Sequence, residues 1–353
     1  MSETAPHLRP VPLEPPRRHA LPLANGPLCF AEVEVLVRGA APEVLPAAAA
    51  ETLHPGARAV MARLTAARPA IAGLSFDRPR IMGVVNVTPD SFSDGGCHDT
   101  TGAAIAHGLA LAEQGADILD IGGESTRPGA TTVPETQELD RVLPVIEGLA
   151  ARGCTVPIAI DTRKAGVAEA ALAAGARIVN DVSALTFDPS MAGIAARAEG
   201  VCLMHAQGDP ETMQDDPRYG DVLLDVYTFL AERLAAAEAA GIARERVILD
   251  PGIGFGKTEA HNLALMQRLS LFHALGCPVL LGLSRKRFIG RISGVAEAGR
   301  RVAGSLAGAL AGVAQGVQIL RVHDVAETRQ ALSVWQAVTG AAEAPREMET
   351  LAP

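Results

Sequence analysis

Asn86, Asp161, Asn180 and Asp250 stand at the ends of four separate apolar runs, and Asp120 near the end of a fifth. Polar groups there are costly unless something binds them. As a set they are acceptors and amides, which suits a flat heterocycle carrying N–H donors and ring acceptors. Arg127, Lys286, Arg321 and His323 form a second set at similar places. They are donors, mostly cationic, and suit an anion, with Arg matched to phosphate in particular. Asn86 also offers a neutral oxygen of the kind that joins a Mg2+ shell completed by water and phosphate. The two sets together describe a ligand with a polar heterocycle at one end and a phosphate at the other. Ser183, Thr162 and Asp324 taken singly read as turn formers or helix caps.

These residues need elements that converge. Apolar runs rich in Val, Ile and Leu occupy 81–87, 117–121, 157–160, 177–180, 200–204, 247–249, 278–283 and 318–322. Helical patterns lie between them. Ile105, Leu109 and Ala112 recur at helical spacing, as do Leu223, Val226, Leu230 and Leu234. Continuous apolar strands joined by helices mean a parallel sheet covered on its outer face. Eight strands and eight helices, with 325–338 last, predict an α/β TIM (β/α)8 barrel, whose strand C-termini face the active site. A doubly wound open sheet is the rival topology.

The chain has 353 residues, 48% hydrophobic and 20% charged, with a net charge of −9. That balance gives no general pull on nucleic acid, so any positive charge that binds an anion must be local. Five scattered cysteines argue against a disulfide framework and fit a reducing compartment. With no apolar run long enough to span a bilayer and no signal-type segment, the expectation is a soluble cytoplasmic protein that engages no membrane. Residues 1–75 read as a partly disordered N-terminal extension. Its first 20 residues are dominated by Pro and charge, a strand is expected near 30–38, and 47–67 reads as short helices broken at Pro55-Gly56. The barrel is placed at 76–340 and a C-terminal tail at 341–353.

Two features carry less than they promise. Residues 252–258 approach a nucleotide P-loop, but that motif needs Gly at 251, where Pro251 stands. Cys202 and His205 are closely spaced, with no second pair to complete a zinc site.

The motif Met82-Gly83-Val84-Val85-Asn86-Val87-Thr88-Pro89-Asp90-Ser91-Phe92-Ser93-Asp94-Gly95-Gly96 resembles the first signature of the dihydropteroate synthases. Asp120-Ile121-Gly122-Gly123-Glu124-Ser125-Thr126-Arg127-Pro128-Gly129 resembles the second. Asp250-Pro251-Gly252-Ile253-Gly254-Phe255-Gly256-Lys257, Ser284-Arg285-Lys286-Arg287-Phe288 and Arg321-Val322-His323-Asp324-Val325 are similar to later blocks, so the resemblance spans about 75–340. It implies condensation of 6-hydroxymethyl-7,8-dihydropterin diphosphate with p-aminobenzoate to 7,8-dihydropteroate and pyrophosphate, in folate biosynthesis.

Carried over by position, Asp120, Asp161, Asn180, Met204, Asp250 and Lys286 hold the pterin. Asn86, Arg127, Arg321 and His323 hold the diphosphate, with Mg2+ as cofactor on Asn86. Thr126, Pro128, Phe255 and Arg287 lie around p-aminobenzoate, and Phe92 and Asp94 belong to a mobile loop. Asp120, Arg127, Lys286, Arg321 and His323 serve the chemistry. The resemblance also implies a homodimer through late helices. Arg287 departs from members with Ser there. The alternatives are a corrinoid-type pterin methyltransferase, which has no use for a diphosphate site, and a non-catalytic pterin-binding paralogue.

Overall fold

The computed structural model describes residues 5–14, 19–53, 56–88, 97–125, 129–208 and 212–340, and of residues 53 and 97–100 it describes the backbone alone. The chain begins with β1 (His7–Pro10), β2 (Leu21–Pro22), β3 (Cys29–Phe30), β4 (Glu32–Leu36) and β5 (Glu43–Pro46). Helices α1 (Ala47–Leu53) and α2 (Ala57–Thr65) follow. The strand expected near 30–38 and the two short helices are therefore present. Disorder through residue 20 is not what His7–Pro10 shows, because β1 pairs antiparallel with β4. Leu8 and Pro10 turn inward while His7 and Arg9 stay half-exposed, an alternation that the Pro- and charge-rich composition concealed.

The extension is joined to the rest of the molecule by charge as well as packing. The nearly buried Glu34 of β4 receives Arg9 at 2.5 Å and Arg268 at 3.1 Å. Ser270 Oγ donates to the Pro10 carbonyl at 2.8 Å.

Eight parallel strands follow: β6 (Arg80–Asn86), β7 (Ile118–Gly122), β8 (Ile158–Asp161), β9 (Ile178–Asp181), β10 (Gly200–Met204), β11 (Val247–Asp250), β12 (Leu280–Leu281) and β13 (Ile319–Val322). Their order is β11-β10-β9-β8-β7-β6-β13-β12. A parallel bridge between Leu249 and Val279, with Leu249 N donating to the Pro278 carbonyl at 2.9 Å, joins the two ends. The sheet is thus closed as a barrel, as predicted, and the open-sheet alternative falls. β12 is shorter than the apolar run 278–283 implies, partly because the Gln318 side chain takes the Val279 N–H at 2.8 Å.

Around the barrel lie α3 (Cys97–Glu113), α4 (Glu135–Ala151), α5 (Ala165–Ala173), α6 (Met191–Ala195), α7 (Val222–Ala239), α8 (Glu259–Met266), α9 (Arg287–Ser293), α10 (Val302–Val313) and α11 (Val325–Thr339). The main core fills the space between these helices and the strands.

A second apolar cluster fills the barrel itself. Each strand contributes one residue: Met82, Ile118, Ala159, Ile178, Cys202, Ile248, Leu280 and Ile319. Ile71, Ala72 and Phe76, from the segment just before β6, close this cluster. Side chains alternate across a strand, so the residue two further on also points inward, one layer nearer the strand C-termini. That step leads to Asp120, Asp161, Asn180, Met204, Asp250, Gly282 and Arg321.

Candidate active site

The second inward layer is polar because the sequence changes character there. Asp120 is fully buried, and Asp161, Asn180 and Asp250 nearly so. Arg321 reaches across the barrel to two of them, with Nε 2.6 Å from Asp120 Oδ2 and Nη2 2.7 Å from Asp161 Oδ2. Asn180 Nδ2 donates to Asp120 at 3.2 Å. Two carboxylates thus share one guanidinium. Burial pushes the Asp161 carboxyl up to about 8, against the pull of Arg321 and with the help of Asp120. Among the described residues the buried Asp161 Oδ1 has no hydrogen-bond partner. An unpaired acceptor in this layer is free to receive a ligand N–H.

Asp250 Oδ1 accepts from Gly252 N at 2.7 Å. Burial raises its carboxyl, and Lys286 opposes that rise. Lys286 Nζ donates to the Ile253 carbonyl and stands 4.4 Å over the Phe255 ring. Its pKa is lowered to about 7, by burial first, with Asp250 opposing and Arg321 adding to the fall. Met204 ends β10 beside Asp250 in register. Gly282 leaves room in this layer, since an added Cβ would lie 3.8 Å from Arg321 and Asp250.

Asn86 ends β6, half-buried. His323 follows β13, and its Nδ1 lies 3.1 Å from Ser284 Oγ. The structure therefore brings together Asp120, Asp161, Asn180, Met204, Asp250, Lys286, Phe255 and Arg321, with Asn86 and His323 at strand ends on the same face. Arg321, expected with the anion set, reaches both Asp120 and Asp161 from the same polar layer. Arg287 opens α9 with an exposed side chain and makes no hydrogen bond or ion pair to this set among the described residues. Phe92, Asp94, Thr126, Arg127 and Pro128 lie outside the described residues. Among the described residues, no group of three or more His, Cys, Asp or Glu side chains is placed to hold a metal ion.

Three features escaped the sequence. The first is Lys257, set aside with the P-loop look-alike. It is buried, and its Nζ lies 2.8 Å from the Gly252 carbonyl, 3.0 Å from the Phe255 carbonyl and 2.8 Å from His205 Nδ1. It ties the loop after β11 to the end of β10. Gly252, at φ +67°, is required there, because a Cβ would fall 1.8 Å from the His205 carbonyl oxygen. A lysine closing a Gly-x-Gly-x-Gly turn was the available signal.

The second is a buried ionic network that joins the segments after β7 and β8 to α4. Lys164 Nζ donates to Glu124 and, at 2.5 Å, to Glu138. Arg163 Nε donates to Glu124 at 3.0 Å and its Nη2 to Thr132 at 2.9 Å. Val133 N also donates to Glu124, at 3.1 Å. The third is a cavity of about 380 Å3 beside the polar layer, lined by Arg163, Ser183, Phe187, Met213, Phe229 and Phe255.

A family described as pterin binding enzyme matches residues 82–323. The dihydropteroate synthase of Neisseria meningitidis serogroup B is 51% identical over 271 residues, which is 75% of this chain and 94% of that protein. The Xanthomonas albilineans dihydropteroate synthase solved with 4-aminobenzoic acid is 55% identical at TM-score 0.72, covering 77% of this chain and 97% of that one. The same enzyme solved in complex with 7,8-dihydropteroate gives 51% identity and TM-score 0.69, covering 77% and 98%. With its barrel closed and its second inward layer polar, the chain belongs to the pterin binding enzymes, among the dihydropteroate synthases, which are transferases.

Proposed function

We propose that the polar layer and the loops above it join 6-hydroxymethyl-7,8-dihydropterin diphosphate to p-aminobenzoate, giving 7,8-dihydropteroate and pyrophosphate. The observation that carries this reading is the buried Asp161 Oδ1, which has no hydrogen-bond partner among the described residues while Oδ2 pairs with Arg321. Asp161 accepts a ring N–H of the pterin. Asn180 and Asp250 complete the edge, Met204 packs beside it, and Lys286 donates to a ring acceptor. His323, Arg127 and Arg321 face the diphosphate.

The leaving group needs this help because an arylamine is a weak nucleophile. Donors aimed at pyrophosphate stabilise the charge that develops as the C–O bond breaks. Positive charge left on the pterin methylene is offset by the carboxylate of Asp120. The amine nitrogen then forms the C–N bond and gives up its proton to solvent. Thr126, Pro128, Phe255 and Arg287 surround p-aminobenzoate, and Phe92 and Asp94 belong to a loop over it. Asn86 fits Mg2+ as a single neutral oxygen, the remaining positions falling to water and phosphate. When bound there, Mg2+ would offset negative charge on the diphosphate.

The same reading holds residues 1–75 as a structural extension, 76–340 as the catalytic barrel and 341–353 as a tail. It also places the protein in the cytoplasm as a homodimer. Among the described residues Cys29, Cys154, Cys202 and Cys277 are free thiols, and no described helix is long and apolar enough to cross a membrane. Ile292 of α9 and Val334 and Val338 of α11 are exposed apolar side chains on the late helices through which the homodimer is proposed. The test is pyrophosphate release, expected only with both substrates and Mg2+ and lost in Asp161→Asn. Pterin binding without release would instead favour the non-catalytic paralogue.

A further inference from the structure

Arg285 stands between Ser284 and Lys286 with φ +60°, a left-handed backbone that a non-glycine residue rarely takes. Glycine would adopt it without strain, so a side chain kept there points to a use for that side chain. The conformation is held from three directions. Arg285 N donates to Ser305 Oγ at 2.9 Å, and Arg301 Nη1 donates to the Arg285 carbonyl at 2.8 Å. The guanidinium forms a two-point pair with Asp324, Nε to Oδ2 at 3.1 Å and Nη2 to Oδ1. Asp324 directly follows His323, and its carbonyl accepts from Thr328 N at 3.0 Å in the first turn of α11.

The strand ladder cannot do this work. β12 and β13 pair only at Leu280 with Ile319 and Leu281 with Leu320. Beyond that point the two loops are linked by side chains, Ser284 with His323 and Arg285 with Asp324. The first loop carries Lys286 and the second His323.

We infer that Arg285 and Asp324 are positioning residues that fix the distance between the pterin-facing and the diphosphate-facing ends of the site. This rests on the proposed reading that Lys286 and His323 act on opposite ends of one substrate. The two-point pair resists rotation as well as separation, which one lysine contact would not. Neither side chain needs to touch substrate. The effect reaches the reaction through Ser284, His323 and Lys286.

Arg285→Gly keeps the backbone conformation and removes the fork, Arg285→Lys keeps the charge alone, and Asp324→Asn keeps the shape. Arg285→Gly is expected to lower kcat about tenfold or more, as small misplacements of reacting groups do. Product inhibition by pyrophosphate should weaken, while KM for p-aminobenzoate stays within about twofold and the melting temperature within about 3 °C, because relief of strain offsets the lost pair. Arg285→Lys should recover part of kcat. With an active parent, an Arg285→Gly kcat within about twofold of the parent, or a loss shared equally by KM for p-aminobenzoate, overturns the assignment. If Arg285→Gly does not fold, Arg285→Lys and Asp324→Asn are judged by the same split. A parent that releases no pyrophosphate overturns the functional reading, and this one with it.

Discussion

Lys164 offers the sharpest test of how this site is supported. Its ammonium is buried with two carboxylates, Glu124 and Glu138, and Glu138 is fully enclosed. In Lys164→Met, Glu124 keeps Arg163 and Val133 N as donors. Glu138 keeps none of the contacts that neutralise it, since its other oxygen, Oε1, already lacks a partner among the described residues. Removing one member of a buried ion pair typically costs about 3–5 kcal/mol, mostly through the charge left behind. An unfolding entropy of about 0.7 kcal/mol per degree for a chain of this length makes that a fall of about 4–7 °C in melting temperature. If the stranded charge is the cause, Lys164→Met with Glu138→Leu should regain most of the loss, as apolar replacement of whole buried pairs does. Thermal and urea unfolding of the parent and both variants measure this. A single-variant loss below about 1 kcal/mol, or a double variant no more stable than the single, would refute the reasoning.

Two further outcomes follow from the site. Lys286 titrates near 7 in the folded protein, below its ordinary value of 10.5, so its cation is lost as pH rises through about 7. kcat/KM for the pterin substrate should fall above that pH, and Lys286→Arg should flatten the fall, because Arg stays charged. An unchanged slope in Lys286→Arg would remove Lys286 as its cause. The same shift makes folding stability rise with pH between about 7 and 10.5, since the unfolded chain binds the extra proton there, and Lys286→Met should abolish that rise. Gly252→Ala puts a Cβ 1.8 Å from the His205 carbonyl oxygen at φ +67°. It should cost at least about 2 kcal/mol and raise KM for p-aminobenzoate by displacing Phe255. Normal unfolding and normal KM together would show that the loop tolerates the shift.

The barrel and its polar layer were legible before any coordinates. Polar residues at the ends of apolar runs are local features, so Asp120, Asn180 and Asp250 are placed by sequence at strand ends, whereas the apolar floor of Ile118, Ile178 and Ile248 one layer below is a property of the closed barrel. Strand count then implies closure, and the long loop motifs carry the family. The extension was half legible: α1 and α2 follow from their helical pattern, but β1 became a strand only by pairing with β4, some 25 residues away.

Which polar group meets which was not legible at all. Arg321 pairs with Asp120 and Asp161 across 201 and 160 residues of chain, Lys257 with His205 across 52, and Arg285 with Asp324 across 39. Residue types and spacing tell what each side chain is able to do. Only the closed barrel sets the ångström-scale distances and the burial that decide which charge is neutralised, which is lowered or raised, and which oxygen remains for a ligand.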